Sequence, residues 1–99
     1  MNTNNSVEYK VQKYYAEVLQ GEMETYTEAG HVDIETDSHV IEVKTYKKWK
    51  YSLGQCLAYA HCTGKKPAMI LYDHAEFHNF ELIQEICEDL GVEVYLSEV

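Results

Sequence analysis

Ninety-nine residues make one small domain, able to bury only about two thirds of the surface its unfolded chain exposes, so a single domain over residues 1–99 is expected. Hydrophobic residues at 45% and charged residues at 25% belong to a folded domain and exclude a disordered tail. A formal charge of −9 speaks against general affinity for a polyanion.

From Val7 to Leu19 the apolar residues Val7, Val11, Tyr14, Tyr15 and Val18 recur at helical spacing, and Asn5 followed by Glu8 matches a capping box at the entry. That spacing predicts a first helix closed near Gly21. Alternation in EMETYT, HVDIET and HVIEVKT then predicts three consecutive antiparallel strands. A second helix is expected from about Ser52 to Cys62, packing Leu53, Leu57 and Ala60 inward and stopping before Gly64. Pro67 opens the apolar strand AMILY, Phe77 to Leu90 reads as a third helix ending at Gly91, and VEVYL as a last strand. The expected class is α/β, in the order αβββαβαβ, with a mixed sheet flanked by helices.

The charge is unevenly placed. Residues 1 to 66 carry all eight lysines against nine acids, whereas residues 67 to 99 carry eight acids and no base. The last third is a solvated acidic face or, less simply, a partner-binding surface. There is no arginine, so bidentate guanidinium recognition of phosphate or guanine is not available to the chain. Three cysteines, Cys56, Cys62 and Cys87, show no CxxC spacing and read as reduced, mostly buried thiols. A polar start and no long apolar run predict a soluble chain in the reducing cytoplasm.

Within this frame one hairpin stands out. A strand points successive side chains to opposite faces, which predicts Val32 and Ile34 on one face with Ile41 and Val43, and Asp33 on the other with Glu42 and Lys44. If the hairpin turns about Asp37 and Ser38, Thr36 faces His39, Ile34 faces Ile41, and Asp33 faces Glu42. Like charges directly opposite weaken a sheet. Two juxtaposed carboxylates are relieved by a hard divalent cation such as Mg²⁺, which takes oxygen ligands from one or two carboxylates plus substrate phosphate. Lys44 reaches the same space, where an ammonium can orient water or stabilise charge on phosphate. Charged alternation is also common on solvated strand faces, so the bare spacing leaves an ordinary surface with one Glu–Lys pair open.

The flanking residues add to the pattern. An acid on the first helix (Glu8), an aspartate in a hairpin strand (Asp33), an apolar run ending in (D/E)-x-K (VIEVK, with Glu42 and Lys44) and a glutamine early in the next helix (Gln55 in SLGQCLAYA) together resemble the PD-(D/E)XK nuclease superfamily. This is the restriction-endonuclease-like fold, whose members include Holliday-junction resolvases and phage exonucleases. GQCLAYA further resembles the Q-x-x-x-Y variant of the last motif, through Gln55 and Tyr59. Val32 stands where the motif's proline would be. The resemblance covers nearly all of the chain and implies a restriction-endonuclease-like core and metal-dependent hydrolysis of DNA. It implies that Asp33, Glu42 and the Val43 carbonyl hold Mg²⁺ or Mn²⁺, that Glu8 assists, and that Lys44 positions the attacking water, with Gln55 in the catalytic set. Glu8 reads equally as the capping-box member of its helix, and Ser52-x-x-Gln55 is itself a capping box.

Just beyond, in TYKKWKYS, Lys47, Lys48 and Lys50 are interleaved with Tyr46, Trp49 and Tyr51. Lysines that neutralise phosphates and aromatic rings that stack on bases are the ingredients of nucleic-acid contact; a soluble loop with partly buried rings is the plainer alternative. His74 and His78 stand four apart, but no third zinc ligand converges in sequence. His31, on the expected face of Asp33, reads as a strand-end surface histidine. The expectation is a Mg²⁺-dependent deoxyribonuclease acting on branched, flap or end-bearing DNA as a homodimer or larger homo-oligomer. The alternative is a non-catalytic module of the same fold that binds protein or nucleic acid.

Overall fold

The computed structural model describes residues 6–99. Eight elements follow one another as helix α1 (Val7–Leu19), strands β1 (Glu22–Thr27), β2 (Gly30–Glu35) and β3 (His39–Thr45), helix α2 (Trp49–Thr63), strand β4 (Lys66–Tyr72), helix α3 (Phe80–Leu90) and strand β5 (Glu93–Leu96). This is the expected order. The strands form one sheet in the order β1-β2-β3-β4-β5. β1, β2 and β3 are an antiparallel meander, and β3, β4 and β5 run parallel, each parallel pair joined through a helix as parallel neighbours require.

Local chemistry explains the boundaries. Ser6 caps α1, its Oγ accepting the Tyr9 N–H at 3.0 Å, which satisfies one of the free donors of the first turn. Asn5, the expected cap, lies outside the described residues. α1 closes on Gln20, left-handed at φ 56°, one residue before Gly21. A 3-10 turn over Tyr46–Lys48 leads directly into α2, which starts at Trp49 and not near Ser52. α3 starts at Phe80 and not at Phe77; Phe77 instead stacks on Tyr46, centroids 4.8 Å apart.

The core has two layers. α1 lays Val11 and Ala16 on Ile34, Ile41, Val43, Ala68 and Ile70. On the opposite face α2 and α3 contribute Cys56, Ile83 and Cys87, which bury Tyr46, Met69 and Leu71. Each fully buried aliphatic side chain contributes roughly 1.5–3 kcal/mol. β3 is therefore covered on both faces, as central strands with helices on either side are. The expected division of the hairpin into one apolar and one solvated face does not hold. Val32 packs with Val40 and Tyr59, whereas Ile34 joins Ile41 and Val43, and Glu42 is only 2% exposed. Cys56 and Cys87 are buried, Cys62 is exposed, and all three are free thiols. Among the described residues no helix is long and apolar enough to cross a membrane.

Candidate active site

The hairpin register places the two acids across from one another. Regular pairing runs through Glu35↔Val40 and Ile34↔Ile41, with the Thr36 N–H on the His39 carbonyl at 2.9 Å. At the next step the ladder stops and the carboxylates replace it. The Asp33 N–H donates to Glu42 Oε2 at 3.1 Å, and the Val43 N–H donates to Asp33 Oδ2 at 2.9 Å. Each acid thus stands in for a main-chain carbonyl of the neighbouring strand, which fixes both side chains without a cation between them.

α1 and β1 hold β2 from the other side. Gln12, buried on α1, donates from Nε2 to the Asp33 carbonyl at 2.8 Å and to Glu24 Oε2 at 2.7 Å. Glu24 has φ 57°, a left-handed conformation that non-glycine residues rarely adopt in a strand. The bend at Glu24 and Asp33 is where side-chain alternation fails, so that Val32 and Ile34 enter different clusters.

Electrostatics follow from this burial. Removal from water raises the Asp33 carboxyl to about 6, against the pull of the Val43 N–H and of Lys44, with the acids Glu24 and Glu8 adding to the rise. Burial, and next the Asp33 charge, push Glu42 up to about 8. The two groups share protons as a pair. Lys44 stands beside them, its Nζ 3.5 Å from Glu8 Oε2 and 5.8 Å from the centre of the Tyr51 ring. Glu8 in turn accepts the Tyr72 hydroxyl at 3.1 Å; burial, and then Glu8 itself, raise that hydroxyl to about 12. An open cleft of about 490 Å³, lined by Ser6, Glu8, Tyr9, Gln12, Glu24 and Asp33, lies over this end of the sheet.

Gln55 sits on α2 with its Oε1 buried and without a hydrogen-bond partner among the described residues, as is the Ser52 Oγ. The expected capping box between them is absent, because α2 begins three residues before Ser52. In the basic segment Lys47, Lys48 and Lys50 are exposed. Tyr46 is buried, its hydroxyl donating to Asn79 Oδ1 at 2.8 Å. Trp49 packs half-buried against the cluster under α3, and Lys50 Nζ lies 5.9 Å from its ring. Tyr51 is 63% exposed. His31 lies edge-on to Tyr26, and His74 Nε2 is bonded to the Ser97 carbonyl at 2.9 Å; neither joins the cleft.

The structure thus brings Glu8, Asp33, Glu42 and Lys44 together, and adds Gln12, Glu24 and Tyr72, which spacing did not single out. Glu24 had a visible signal, an acid in the strand beside Asp33; Gln12 had none, since a helix glutamine ordinarily faces solvent. Among the described residues no group of three or more His, Cys, Asp or Glu side chains is arranged to hold a metal, and Glu8 is turned toward Lys44 and Tyr72. The donor set nevertheless fits a hard ion. Two carboxylates that repel one another in a poorly hydrated site suit Mg²⁺, which needs only one or two such ligands and takes the rest from water and phosphate.

No family model and no solved structure matches the chain. Its sequence is similar to three KilA-N domain-containing proteins of Acanthamoeba polyphaga mimivirus. One is 31% identical over 94 residues, covering 93% of this chain and 26% of the relative. A second is 33% identical over 91 residues, 91% of this chain and 24% of the relative. A third is 30% identical over 95 residues, 93% of this chain and 38% of the relative. The chain therefore spans about a quarter to two fifths of the length of the curated relatives it matches.

Proposed function

We propose that the chain is a divalent-metal-dependent nuclease domain of the restriction-endonuclease-like class, hydrolysing phosphodiester bonds in DNA. The observation that carries the reading is the convergence of Asp33, Glu42 and Lys44 at one end of the sheet, each carboxylate bonded to the other strand's main chain. Three further features support it. The αβββαβ order with an antiparallel meander and a parallel β3–α2–β4 crossover is what the resemblance implies. The site lies toward the carboxyl ends of β3 and β4, where open α/β sheets bind ligands. The similar viral proteins hold a domain-sized match within longer chains, which suits a module.

Bound between Asp33 and Glu42, Mg²⁺ or Mn²⁺ would neutralise charge on the scissile phosphate and acidify a water. The chain's own residues do the rest. Asp33 and Glu42 supply oxygen ligands, with the Val43 carbonyl as the further donor the resemblance implies. Lys44 donates to the attacking water or to the phosphate oxygens on which charge builds. Glu8, fixed by the Tyr72 hydroxyl, sets where the Lys44 ammonium points. A domain of this size with an acidic last third grips little DNA alone, so the proposal includes a symmetric dimer; native mass spectrometry finding only monomer at micromolar concentration would refute that part.

Cleavage of end-labelled single strand, duplex, flap and four-way junction, in Mg²⁺ and in Mn²⁺, tests the reading with Glu42→Ala beside the wild type. Metal-dependent cutting that disappears in the variant is the expected result. A folded wild type that cuts no substrate in either metal refutes it and leaves a non-catalytic module of the same fold.

A further inference from the structure

Lys50, Tyr51, Gly54, Gln55 and Ala58 fall on one stripe of α2, since residues four apart share a helix face. With Ala29 and Tyr59 they line an open pocket of about 470 Å³. Three features of this pocket have no explanation in folding.

Gly54 lies inside a helix, where glycine is less stable than alanine. It is not among the glycines with positive φ, and a Cβ built on it would meet nothing within 4 Å. Neither backbone nor packing asks for glycine there. Gln55 lines the pocket with its Oε1 buried and without a hydrogen-bond partner among the described residues. Tyr51 presents a largely exposed ring 5.8 Å from the Lys44 ammonium, which puts the pocket next to the lysine of the carboxylate site.

We infer that this pocket holds one unpaired base of single-stranded DNA beside the scissile phosphate; the inference rests on the nuclease reading. The base stacks on Tyr51, a contact open to any base because every base has a π-face. Lys50 neutralises an adjoining phosphate, and Gly54 leaves the helix surface low enough for the nucleotide to lie against it. In a duplex both faces of each base are covered by its stacked neighbours. The subsite is therefore blind to sequence and selective for an unpaired strand.

Fluorescence anisotropy with a labelled oligothymidylate and a blunt duplex of equal length tests this on the whole chain in EDTA, beside cleavage of the same DNA in Mg²⁺. Gly54→Leu and Tyr51→Ala are each expected to weaken single-strand binding about tenfold or more, leaving duplex binding unchanged. Gly54→Leu is expected to melt no lower than wild type; should it fail to fold, Tyr51→Ala, altered at an exposed ring, decides alone. Wild-type affinity in the folded variants, while the wild type cuts DNA, overturns the subsite and spares the nuclease reading. A wild type that neither binds nor cuts DNA overturns both.

Discussion

Burial sets the behaviour of Asp33 and Glu42 before any ion is bound. Both carboxyls hold protons more tightly in the folded chain than a free side chain does, Asp33 to about 6 and Glu42 to about 8. A carboxyl raised on folding contributes stability that is complete below the ordinary carboxylate range and is lost as pH rises through its folded value. The metal-free protein is therefore expected to melt at progressively lower temperature between about pH 4 and about pH 8. On the proposed reading, Mg²⁺ or Mn²⁺ would compete with the same protons, so the stabilisation it confers should grow across that window. Glu42→Gln removes the more strongly shifted group and should flatten most of the slope. Thermal melts in EDTA and in excess metal check this; a melting temperature independent of pH across the window would mean that the pair does not share one buried environment.

At the scale of elements, the site depends on α1 gripping a bent strand. Gln12 joins the Asp33 carbonyl to Glu24 at the point where β2 leaves regular pairing with β3. Gln12→Leu keeps the packing but leaves the Asp33 carbonyl unpaired, an expected loss of roughly 1–3 kcal/mol, visible as several degrees in the melting temperature of a domain this small. An unchanged melt would show that the amide adds nothing net. The Asp33–Glu42 juxtaposition was legible in the sequence, because turn position and a two-residue period determine which Cα atoms face each other. What the acids do there was not, since register says nothing of a carboxylate replacing a ladder carbonyl. Ser52 misled for a related reason. A Ser-x-x-Gln pattern caps a helix only if the helix starts there, and the Tyr46–Lys48 turn starts α2 three residues earlier, leaving the Ser52 Oγ buried without a partner among the described residues. The bend at Glu24 had no signal either, since no glycine marks the left-handed residue.

Across the whole molecule, charge is divided along the sheet. α3 and β5 carry five of the eight acids of residues 67 to 99, the other three lie in the segments around them and none lies in β4, while Lys47, Lys48 and Lys50 are exposed at the corner where β3 passes into α2, beside Lys44. On the proposed reading, a DNA strand would be attracted at this corner and repelled both by the acids of α3 and β5 and by Glu22, Glu24, Glu28 and Glu35 at the β1 edge, which restricts favourable contact to the corner itself. Few phosphates can then be neutralised. Each one contributes a slope of about −0.7 in log K against log salt for a single strand, so three lysines predict a total of about −2, shallow for a DNA-binding protein. Replacing Lys47, Lys48 and Lys50 by glutamine together should bring the slope close to zero while leaving the metal-dependent stabilisation of the carboxylate pair intact, because none of the three is bonded to Asp33 or Glu42. Titration of single-strand binding across salt concentrations, with the triple variant beside the wild type, measures both. A steep slope that survives the triple replacement would place the strand on another surface and detach the lysine corner from the site.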